Sequence, residues 1–329
     1  MTGGEILQLT EGYQAVCVLG AAAELGLFDA IDDAGTTLDV LCERLAADRR
    51  GLRILCDALA ALGVLEKTDD GRYLVPEESR PFLREESPQS VVPMILHRMN
   101  ILRGWSQLAW TVRAGIPAPR TGSIRGCEAD RRAFIRAMDV VTRDVADELV
   151  AKLAPIEFER LIDVGGASGT WTFAFLRACP HGKAVIFDLP HAVAEARRRV
   201  EAAGLADRVE LVAGDFYRDP LPTGDFAWLS AIVHMHSREH NRRLYRKVFE
   251  ALTPGGRIAV RDIVMQSDRV HPTVGAMFAV NMLANTASGD TFTFDEFRED
   301  LEQAGFCDFF LPVPDEGMYA VVCARKPNG

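Results

Sequence analysis

The chain has 329 residues, of which 48% are hydrophobic, and its formal net charge at pH 7 is −10. This size allows two domains with large cores, and the interspersed acidic and basic residues argue against a surface for nucleic acid or an anionic membrane. The sequence has no signal-peptide pattern, no apolar stretch of the roughly 18 residues that a membrane span needs, and no C-x-x-C spacing among its seven cysteines. We therefore expect a cytoplasmic enzyme with reduced thiols that acts on a small molecule.

Residues 1–90 predict a mostly helical domain with a winged-helix outline. The first strong helical pattern is nearly all apolar, which predicts a buried helix through Val16, Leu19, Ala23 and Leu27. Two more helices follow, the second with Asp48 as its N-cap, and a Thr-Asp-Asp-Gly turn then joins two short strands. Since the second helix is basic only near its start, an apolar packing or dimer face is favoured over DNA binding.

Residues 91–152 predict further helices and a loop rich in Pro, Gly and Arg, which together form a linker and pocket-forming region. The last helix is expected to run from Arg131 to Leu153. One stripe of this helix is apolar: Phe134, Met138, Val141, Val145 and Leu149. The stripe is either part of the core or the wall of a pocket.

From residue 153 onward, short apolar runs alternate with helical segments. The runs are LIDV, AVIFDL, VELVAG, FAWLSAIV, RIAVRDIV and a final pair near FCDFFLP and MYAVVCA. Strands that alternate with helices predict an α/β domain in which helices cover both faces of a largely parallel sheet. Residues 153–329 are therefore expected to form a single α/β domain.

The segment LIDVGGASGTW predicts a buried strand, a tight glycine turn and the start of a helix. Its glycine spacing does not match the G-x-G-x-x-G fingerprint of dinucleotide-binding proteins. It does match the acidic-x-G-x-G-x-G loop that wraps S-adenosylmethionine in methyltransferases, with Asp163, Gly165 and Gly169 in place and Ala167 at the middle glycine. In an open parallel sheet such a turn is a typical ligand site.

Two later strands end in residues that suit the rest of the same ligand. Asp188 follows the second strand, where a carboxylate binds both ribose hydroxyls. Asp215 and Phe216 follow the third strand and suit an amino group and a face of adenine. Either aspartate could instead cap a helix, but three successive strand ends that supply ligand groups favour a nucleoside site.

The segment AIVHMHSREHN contains three of the seven histidines and allows three interpretations: a metal site, a catalytic base or a solvated helix start. Its HSREH part matches a zinc-peptidase pattern. However, Ser237 is a good N-cap, so His236 would precede the helix and need not face His240. His234, next to the nucleoside site, is therefore favoured as a base, and no metal is expected.

Together the motifs LIDVGGASG, IFDLP, VAGDFY, IVHMHSRE, LTPGGRIAVRD and DEFREDLEQAGF make the chain resemble the S-adenosylmethionine-dependent small-molecule O-methyltransferases. The similarity is to plant caffeic acid O-methyltransferase-like and bacterial natural-product enzymes, and it covers nearly the whole chain. The resemblance implies a Rossmann-like class I methyltransferase domain with a seven-stranded sheet, preceded by a winged-helix dimerisation domain. It also implies a homodimer and a small, aromatic, phenolic acceptor.

The resemblance assigns roles to individual residues. The resemblance implies that His234 removes the hydroxyl proton of the acceptor and that Asp262 orients this histidine. It also implies that Ser230 contacts the cofactor. The chain departs from the family pattern at His236, Arg238 and Thr291, which stand where relatives have tryptophan, aspartate and a second carboxylate. Asp290, the neighbour of Thr291, is a candidate for that second carboxylate.

The remaining predicted site residues belong to the cofactor site and to an acceptor pocket expected between the two domains. We add Thr142 to the cofactor site. The predicted pocket residues are Phe134, Met138, Met277, Met282, Thr286 and Asp290, with Trp105 as a further wall residue. Three alternatives stay open: C-methylation, including metal-assisted keto-acid methylation, N-methylation, and a non-catalytic cofactor-binding regulator.

Overall fold

The structure, a computed structural model, describes residues 1–328. These residues form two compact units: residues 1–103 with 120–140, and residues 104–119 with the chain from 141 onward. The predicted domain boundaries near residues 90 and 152 stay a prediction. Within the described part of the chain, no helix has both the length and the apolar composition needed to cross a bilayer.

The first unit is mostly helical and contains a small antiparallel sheet. Its helices are α1 (Gly3–Gln8), α2 (Tyr13–Leu25), α3 (Leu27–Ala30), α4 (Leu38–Leu45), α5 (Arg49–Ala61), α6 (Arg80–Leu83) and most of α7 (Val92–Trp105). Its strands are β1 (Thr36–Thr37), β2 (Glu66–Lys67) and β3 (Arg72–Leu74), in the order β1-β3-β2. The Asp48 side chain accepts a hydrogen bond from the Gly51 N–H at 2.7 Å and so caps α5 as expected.

The remaining helices are α8 (Leu108–Ala114), α9 (Cys127–Thr142), α10 (Ala146–Lys152), α11 (Thr170–Ala178), α12 (Pro190–Ala202), α13 (Arg238–Ala251), α14 (Thr273–Asn285) and α15 (Phe294–Gln303). The remaining strands are β4 (Arg160–Val164), β5 (Lys183–Asp188), β6 (Val209–Ala213), β7 (Gly224–Ser230), β8 (Leu252–Asp262), β9 (Val264–Met265), β10 (Phe292–Thr293), β11 (Cys307–Val313) and β12 (Ala320–Arg325). Short 3₁₀ helices cover Glu77–Ser79 and Val233–Met235.

The second unit is built on a seven-stranded sheet in the order β11-β12-β8-β7-β4-β5-β6. The five strands from β8 to β6 are parallel, whereas β12 is antiparallel to both of its neighbours, β8 and β11. Chain order reverses at β4, which lies between β7 and β5, so the turn after β4 lies at the topological switch point where ligands bind in open sheets. The predicted α/β fold with a largely parallel seven-stranded sheet is confirmed.

Two apolar layers cover the two faces of this sheet, because side chains alternate along each strand. On one face Trp228 of β7, which is 0% exposed, packs against Trp171 and Phe175 of α11. On the other face Leu229 belongs to a cluster with Leu244 of α13 and Leu301 of α15. The faces therefore hold the strand ends in fixed positions around the switch point.

Three expectations about helix and strand limits were wrong. Gly26, in the left-handed region at φ 70°, ends α2, so Leu27 belongs to α3 and not to one continuous helix. The expected helix through residues 131–153 is interrupted between α9 and α10, and Phe134 and Val141 on its apolar stripe are each 40% exposed. Ala231, at φ 56°, ends the strand FAWLSAIV before its last three residues.

The expectation that α2 is buried holds for only part of the helix in the single chain. Gly20, Ala22 and Ala23 are buried, whereas the apolar residues before them are half-buried or exposed. Tyr13 is 56% exposed, and Leu7 of α1 is 66% exposed. An apolar surface of this kind on N-terminal helices is typical of a protein interface.

Candidate functional site

The glycine turn after β4 brings the backbone close to its surroundings. Gly165 has φ 68°, and a Cβ placed on it would lie 2.5 Å from Ile232 Cδ1, so a side chain fits neither the backbone conformation nor the space. Gly169 has φ 84° and is the N-cap of α11. Ala167, at the middle position of the motif, adopts a left-handed φ of 48° although it carries a Cβ. The turn therefore packs tightly between the end of β4 and the start of α11, and side chains at its two glycines would not fit.

Asp163 lies beneath this turn with 1% of its surface exposed. Its Oδ2 accepts a hydrogen bond from the Thr172 hydroxyl at 2.6 Å, but its buried Oδ1 has no partner among the described residues. Burial raises the pKa of Asp163 to about 7, against the opposing effect of the Thr172 hydrogen bond. A buried acceptor without a donor is costly, so this atom is suited to a ligand or water donor.

Asp188 ends β5 beside the glycine turn, as predicted. Its Oδ2 accepts a hydrogen bond from the Ala167 N–H at 2.8 Å, and its Oδ1 accepts one from the Leu189 N–H at 2.7 Å. Burial raises the pKa of this carboxyl, although the two backbone donors act in the opposite direction. Each oxygen keeps a second lone pair, so the carboxylate can still accept two hydrogen bonds from a diol.

Asp215 and Phe216 follow β6, the strand next to β5. The Tyr217 N–H donates to Asp215 Oδ1 at 2.9 Å, so this aspartate stabilises its own turn. The edge of Phe216 lies 3.8 Å from the position of a Cβ on Gly165, and its ring packs at 4.8 Å against Tyr217. The structure thus places the ends of β4, β5 and β6 around one turn, with the Phe216 ring next to Gly165.

His234 lies in the 3₁₀ helix after β7 and is paired with Asp262 at the end of β8. The imidazole Nδ1 lies 2.9 Å from both Asp262 oxygens, and the Ile263 N–H donates to Asp262 Oδ1 at 2.8 Å. Both side chains are buried, His234 at 6% and Asp262 at 1% exposure. The carboxylate can only accept, so Nδ1 carries the proton and Nε2 keeps its lone pair for a proton from elsewhere.

The other two histidines of this segment have different surroundings. Ser237 caps α13 as predicted, and its hydroxyl lies 2.8 Å from Nδ1 of the exposed His240. His236 precedes the helix, and its ring packs edge-on against Tyr217 at 4.7 Å. Burial lowers the pKa of His236 to about 4, so its imidazole is neutral at pH 7.

The side chains that lie close enough together to hold a metal ion are not those of the histidine segment. Within residues 1–328, the grouping of three such side chains is Glu157, Cys179 and His181, and it includes none of the histidines at positions 234, 236 and 240. The zinc-peptidase interpretation needs His236 and His240 on one face of a helix. In the structure His236 precedes α13 and His240 lies within it, with their ring centroids 6.3 Å apart.

Ser230 is the last residue of β7, and its hydrogen-bond partner was not predicted. Arg261 of β8 donates through Nε to the Ser230 hydroxyl at 2.7 Å. This arginine is only 3% exposed, and its guanidinium lies over the rings of Trp171 and Tyr319. An arginine that directly follows the apolar residues 258–260 inside a predicted buried strand was the sequence signal that could have identified it.

Several predicted pocket residues lie on α14 or just after it. Met282 is 5% exposed and Met277 is 51% exposed, while Phe278 of the same helix contacts the His234 ring edge-on at 4.8 Å. The Trp105 indole N–H donates to Asn281 Oδ1 at 2.9 Å, which fixes this tryptophan against α14. Phe278 and Asn281 were missed because nothing in the sequence separates them from other residues of the helix.

The chain after α14 contacts His234 through its backbone. The Asp290 N–H donates to the His234 carbonyl at 3.0 Å, while the exposed Asp290 carboxylate accepts from the Thr291 N–H at 2.8 Å. The Thr286 hydroxyl donates to the Met282 carbonyl at 2.7 Å and accepts from the Gly289 N–H at 2.9 Å. Both predicted side chains therefore stabilise the loop that holds His234, and their part in acceptor binding stays a prediction.

The predicted residues of α9 have two kinds of environment. Phe134 is exposed and its ring packs at 5.1 Å against His97, and Met138 is half-buried. Thr142, the last residue of the helix, is 5% exposed, and the Tyr319 hydroxyl donates to the neighbouring Val141 carbonyl at 2.7 Å. The pocket expected between the two domains, and the place of Thr142 in the cofactor site, stay predictions.

Comparison with known proteins adds two family matches. A model described as an O-methyltransferase domain matches residues 100–307, and one described as an O-methyltransferase dimerisation domain matches residues 7–85. Together they cover most of both compact units.

Individual relatives match over most of their length. The chain is 32% identical over 330 residues to the tetracenomycin polyketide synthesis 8-O-methyl transferase TcmO of Streptomyces glaucescens, covering 99% of this chain and 97% of that protein. It is 30% identical to the 3-hydroxy-5-methyl-1-naphthoate 3-O-methyltransferase of Streptomyces sahachiroi, covering 91% and 88%. Its fold is similar to the crystal structure of human N-acetylserotonin methyltransferase in complex with SAM, at 25% identity, a TM-score of 0.81 and 99% coverage of both chains.

Proposed function

The chain belongs to the S-adenosylmethionine-dependent O-methyltransferase family, and from that premise we propose that it methylates a hydroxyl group of a small aromatic acceptor with His234 as the general base. The observation that carries this proposal is the buried pair of His234 and Asp262, in which both carboxylate oxygens lie 2.9 Å from Nδ1. A base oriented in this way is needed for a hydroxyl acceptor, because a phenol with a pKa of about 10 is mostly protonated at neutral pH.

The residues around the glycine turn fit S-adenosylmethionine. We propose that the carboxylate of Asp188 accepts the ribose hydroxyls and that Asp215 and Phe216 bind the adenine. The partnerless Oδ1 of Asp163 is an acceptor that the ammonium group of the cofactor would satisfy, since the glycine turn lies directly on this carboxyl. Gly165 and Gly169 keep side chains out of the turn, and Ser230 and Thr142 complete the predicted site.

The bound cofactor supplies a methyl group on a positively charged sulfonium. The residues of this chain supply the proton acceptor: the hydroxyl proton of the acceptor moves to Nε2 of His234 as the acceptor oxygen forms its bond to the methyl carbon, and the carbon–sulfur bond breaks to leave S-adenosylhomocysteine. Asp262 stabilises the imidazolium that results and holds the ring in the productive tautomer. Phe278 packs against the same ring and limits the access of water to it.

An aromatic acceptor is supported by the side chains on α14. Phe278 lies against His234, and Met282 of the same helix and Trp105, which is fixed against that helix, add apolar and aromatic surface that suits a flat ring. The names of the two Streptomyces relatives describe hydroxyl methylation, in one case of a naphthoate. The predicted acceptor residues Phe134, Met138, Met277, Thr286 and Asp290 are part of this proposal.

The match to a dimerisation domain supports a homodimer. The exposed apolar residues of α1 and α2 are the surface that we propose for the interface, because such a surface is rarely left in water.

The test is a screen of phenolic, amine and keto-acid acceptors with isotopically labelled cofactor, read by mass shift, in wild type and His234→Ala. We expect phenols to be methylated and turnover of His234→Ala to fall by roughly 100-fold to 10,000-fold at neutral pH. The loss should shrink as pH approaches the pKa of the phenol, because solution then supplies the phenolate.

His240→Ala is the matched control, since His240 is an exposed histidine of the same segment, and its turnover should equal that of wild type. A chelator should leave wild-type turnover intact. Methylation of amines or keto acids alone would replace the O-methylation proposal with N- or C-methylation. Loss of turnover with a chelator, reversed by added metal, would favour metal-assisted C-methylation.

A further inference from the structure

Arg261 is a buried arginine near the carboxyl end of β8, on the side of the sheet where the cofactor site is predicted. It lies on β8 with 3% of its surface exposed, donating through Nε to Ser230 Oγ at 2.7 Å and through Nη1 to the Met318 carbonyl at 2.9 Å. The centre of its guanidinium lies 5.0 Å from the centroid of the Trp171 ring and 5.4 Å from that of Tyr319. All of its contacts are thus with neutral groups.

The charge of Arg261 has no carboxylate partner within residues 1–328, and its Nη2 has no hydrogen-bond acceptor there. Asp262 is adjacent in sequence, but its oxygens accept from His234 Nδ1 and from the Ile263 N–H. Burial lowers the pKa of Arg261 to about 10, while Asp262 and Tyr319 act in the opposite direction. The guanidinium is therefore still charged at pH 7, and a buried charge without a counterion is unfavourable unless an anion joins it.

The contacts of Arg261 place it next to the glycine turn. Ser230 ends β7, and β7 pairs with β4, the strand that leads into the turn, with Leu229 opposite Val164. Trp171 lies in the first turn of α11, the helix that the glycine turn leads into. The guanidinium therefore contacts α11, which follows the turn, and β7, which pairs with the strand that precedes it.

We propose that Arg261, with the Ser230 hydroxyl that it fixes, binds the carboxylate of the methionine part of S-adenosylmethionine. The cofactor carries one carboxylate, and a guanidinium with a free Nη2 matches a carboxylate in geometry as well as in charge. The cofactor contact predicted for Ser230 thereby becomes a two-residue contact, in which the hydroxyl comes from β7 and the charge from β8. This inference rests on the cofactor placement proposed above.

The test compares two ligands by calorimetry: S-adenosylhomocysteine, and 5′-methylthioadenosine, which keeps the adenosine and thioether but lacks the amino acid. Arg261→Met should raise the Kd of S-adenosylhomocysteine by about tenfold to a hundredfold, as expected for loss of a charged hydrogen bond. The Kd of 5′-methylthioadenosine should change by less than about twofold, because that ligand has no carboxylate for Arg261 to bind. A purely structural arginine would weaken both ligands equally, and that result would overturn the proposal.

Arg257→Met is the matched control. Arg257 lies on the same strand, donates through Nη2 to the Glu157 carbonyl at 2.9 Å and lies over the Phe226 ring at 5.7 Å, but it has no contact with Ser230. Both ligands should bind this variant as they bind wild type. Equal weakening of S-adenosylhomocysteine in the Arg257 and Arg261 variants would also contradict the inference.

Should Arg261→Met not fold, Arg261→Gln keeps one donor for Ser230 without the charge, and the same selective loss is expected. Unchanged affinity for S-adenosylhomocysteine in either folded variant overturns the proposal. Failure of the cofactor placement itself looks different: Asp188→Ala should weaken both ligands, since both carry the ribose, and if it weakens neither then the proposed site is wrong.

Discussion

Asp262→Asn isolates the contribution of the carboxylate that orients the proposed base. The substitution keeps the size of the side chain, and the amide oxygen can still accept from the Ile263 N–H, which lies 2.8 Å from Oδ1. The amide nitrogen then takes the position of Oδ2, which lies 2.9 Å from His234 Nδ1. Because an amide nitrogen only donates, it favours the imidazole tautomer with the proton on Nε2, and that tautomer cannot accept a proton from the acceptor.

The expected effect has two parts. Loss of a hydrogen bond to a charged group costs about 1.5 to 3 kcal/mol, which at about 1.4 kcal/mol per factor of ten corresponds to a fall in kcat of roughly 10-fold to 150-fold. The unfavourable tautomer adds to this loss. Affinity for S-adenosylhomocysteine should not change, since Asp262 has its contacts with His234 and Ile263 and none with the glycine turn.

The assay is steady-state methylation of the best phenolic acceptor, with calorimetry of S-adenosylhomocysteine as the check on folding. Asp268→Asn is the matched control, because Asp268 also pairs with a histidine, His271, at 2.7 Å, but both of those side chains are about half exposed. That variant should keep wild-type kcat. A folded Asp262→Asn enzyme with wild-type kcat would refute the role of the pair.

Three further predictions concern the cofactor site, stability and assembly. Asp188→Ala should weaken binding of S-adenosylmethionine and S-adenosylhomocysteine by about 1.5 to 3 kcal/mol in calorimetry, and unchanged affinity would reject its role at the ribose. Burial raises the pKa of Asp163 to about 7, so between pH of about 4 and 7 the carboxyl is protonated in the folded state but ionised in the unfolded state. Its contribution to the free energy of unfolding is therefore fully present below pH of about 4 and is lost as pH rises to 7. Asp163→Asn should therefore reduce the decline in free energy of unfolding between pH 5 and pH 7.5 in denaturant titrations, and an identical decline would contradict this. Light scattering at micromolar concentration should give a mass of twice 36.2 kDa for wild type and a smaller mass for Leu7→Glu, and a monomeric wild type would refute the dimer.

The sequence by itself determined the features that depend on neighbouring residues. The seven strands of the large sheet, the caps at Asp48 and Ser237 and the glycine turn were predicted because periodicity, capping and backbone freedom act over a few residues. The order of strand ends also placed Asp188 next to the glycine turn, since the carboxyl ends of parallel strands meet at one edge.

The tertiary structure decided what depends on residues that are distant in the chain. The contact of Arg261 with Ser230 requires β8 to lie beside β7, and the contact of Phe278 with His234 requires α14 to pack against the segment after β7. Helical spacing indicated an apolar stripe through Phe134, but spacing describes only one side of a contact, and the structure leaves this ring 40% exposed. A sequence pattern gives the faces of an element, whereas burial and pairing follow from which other element packs against each face, and only the folded chain determines that.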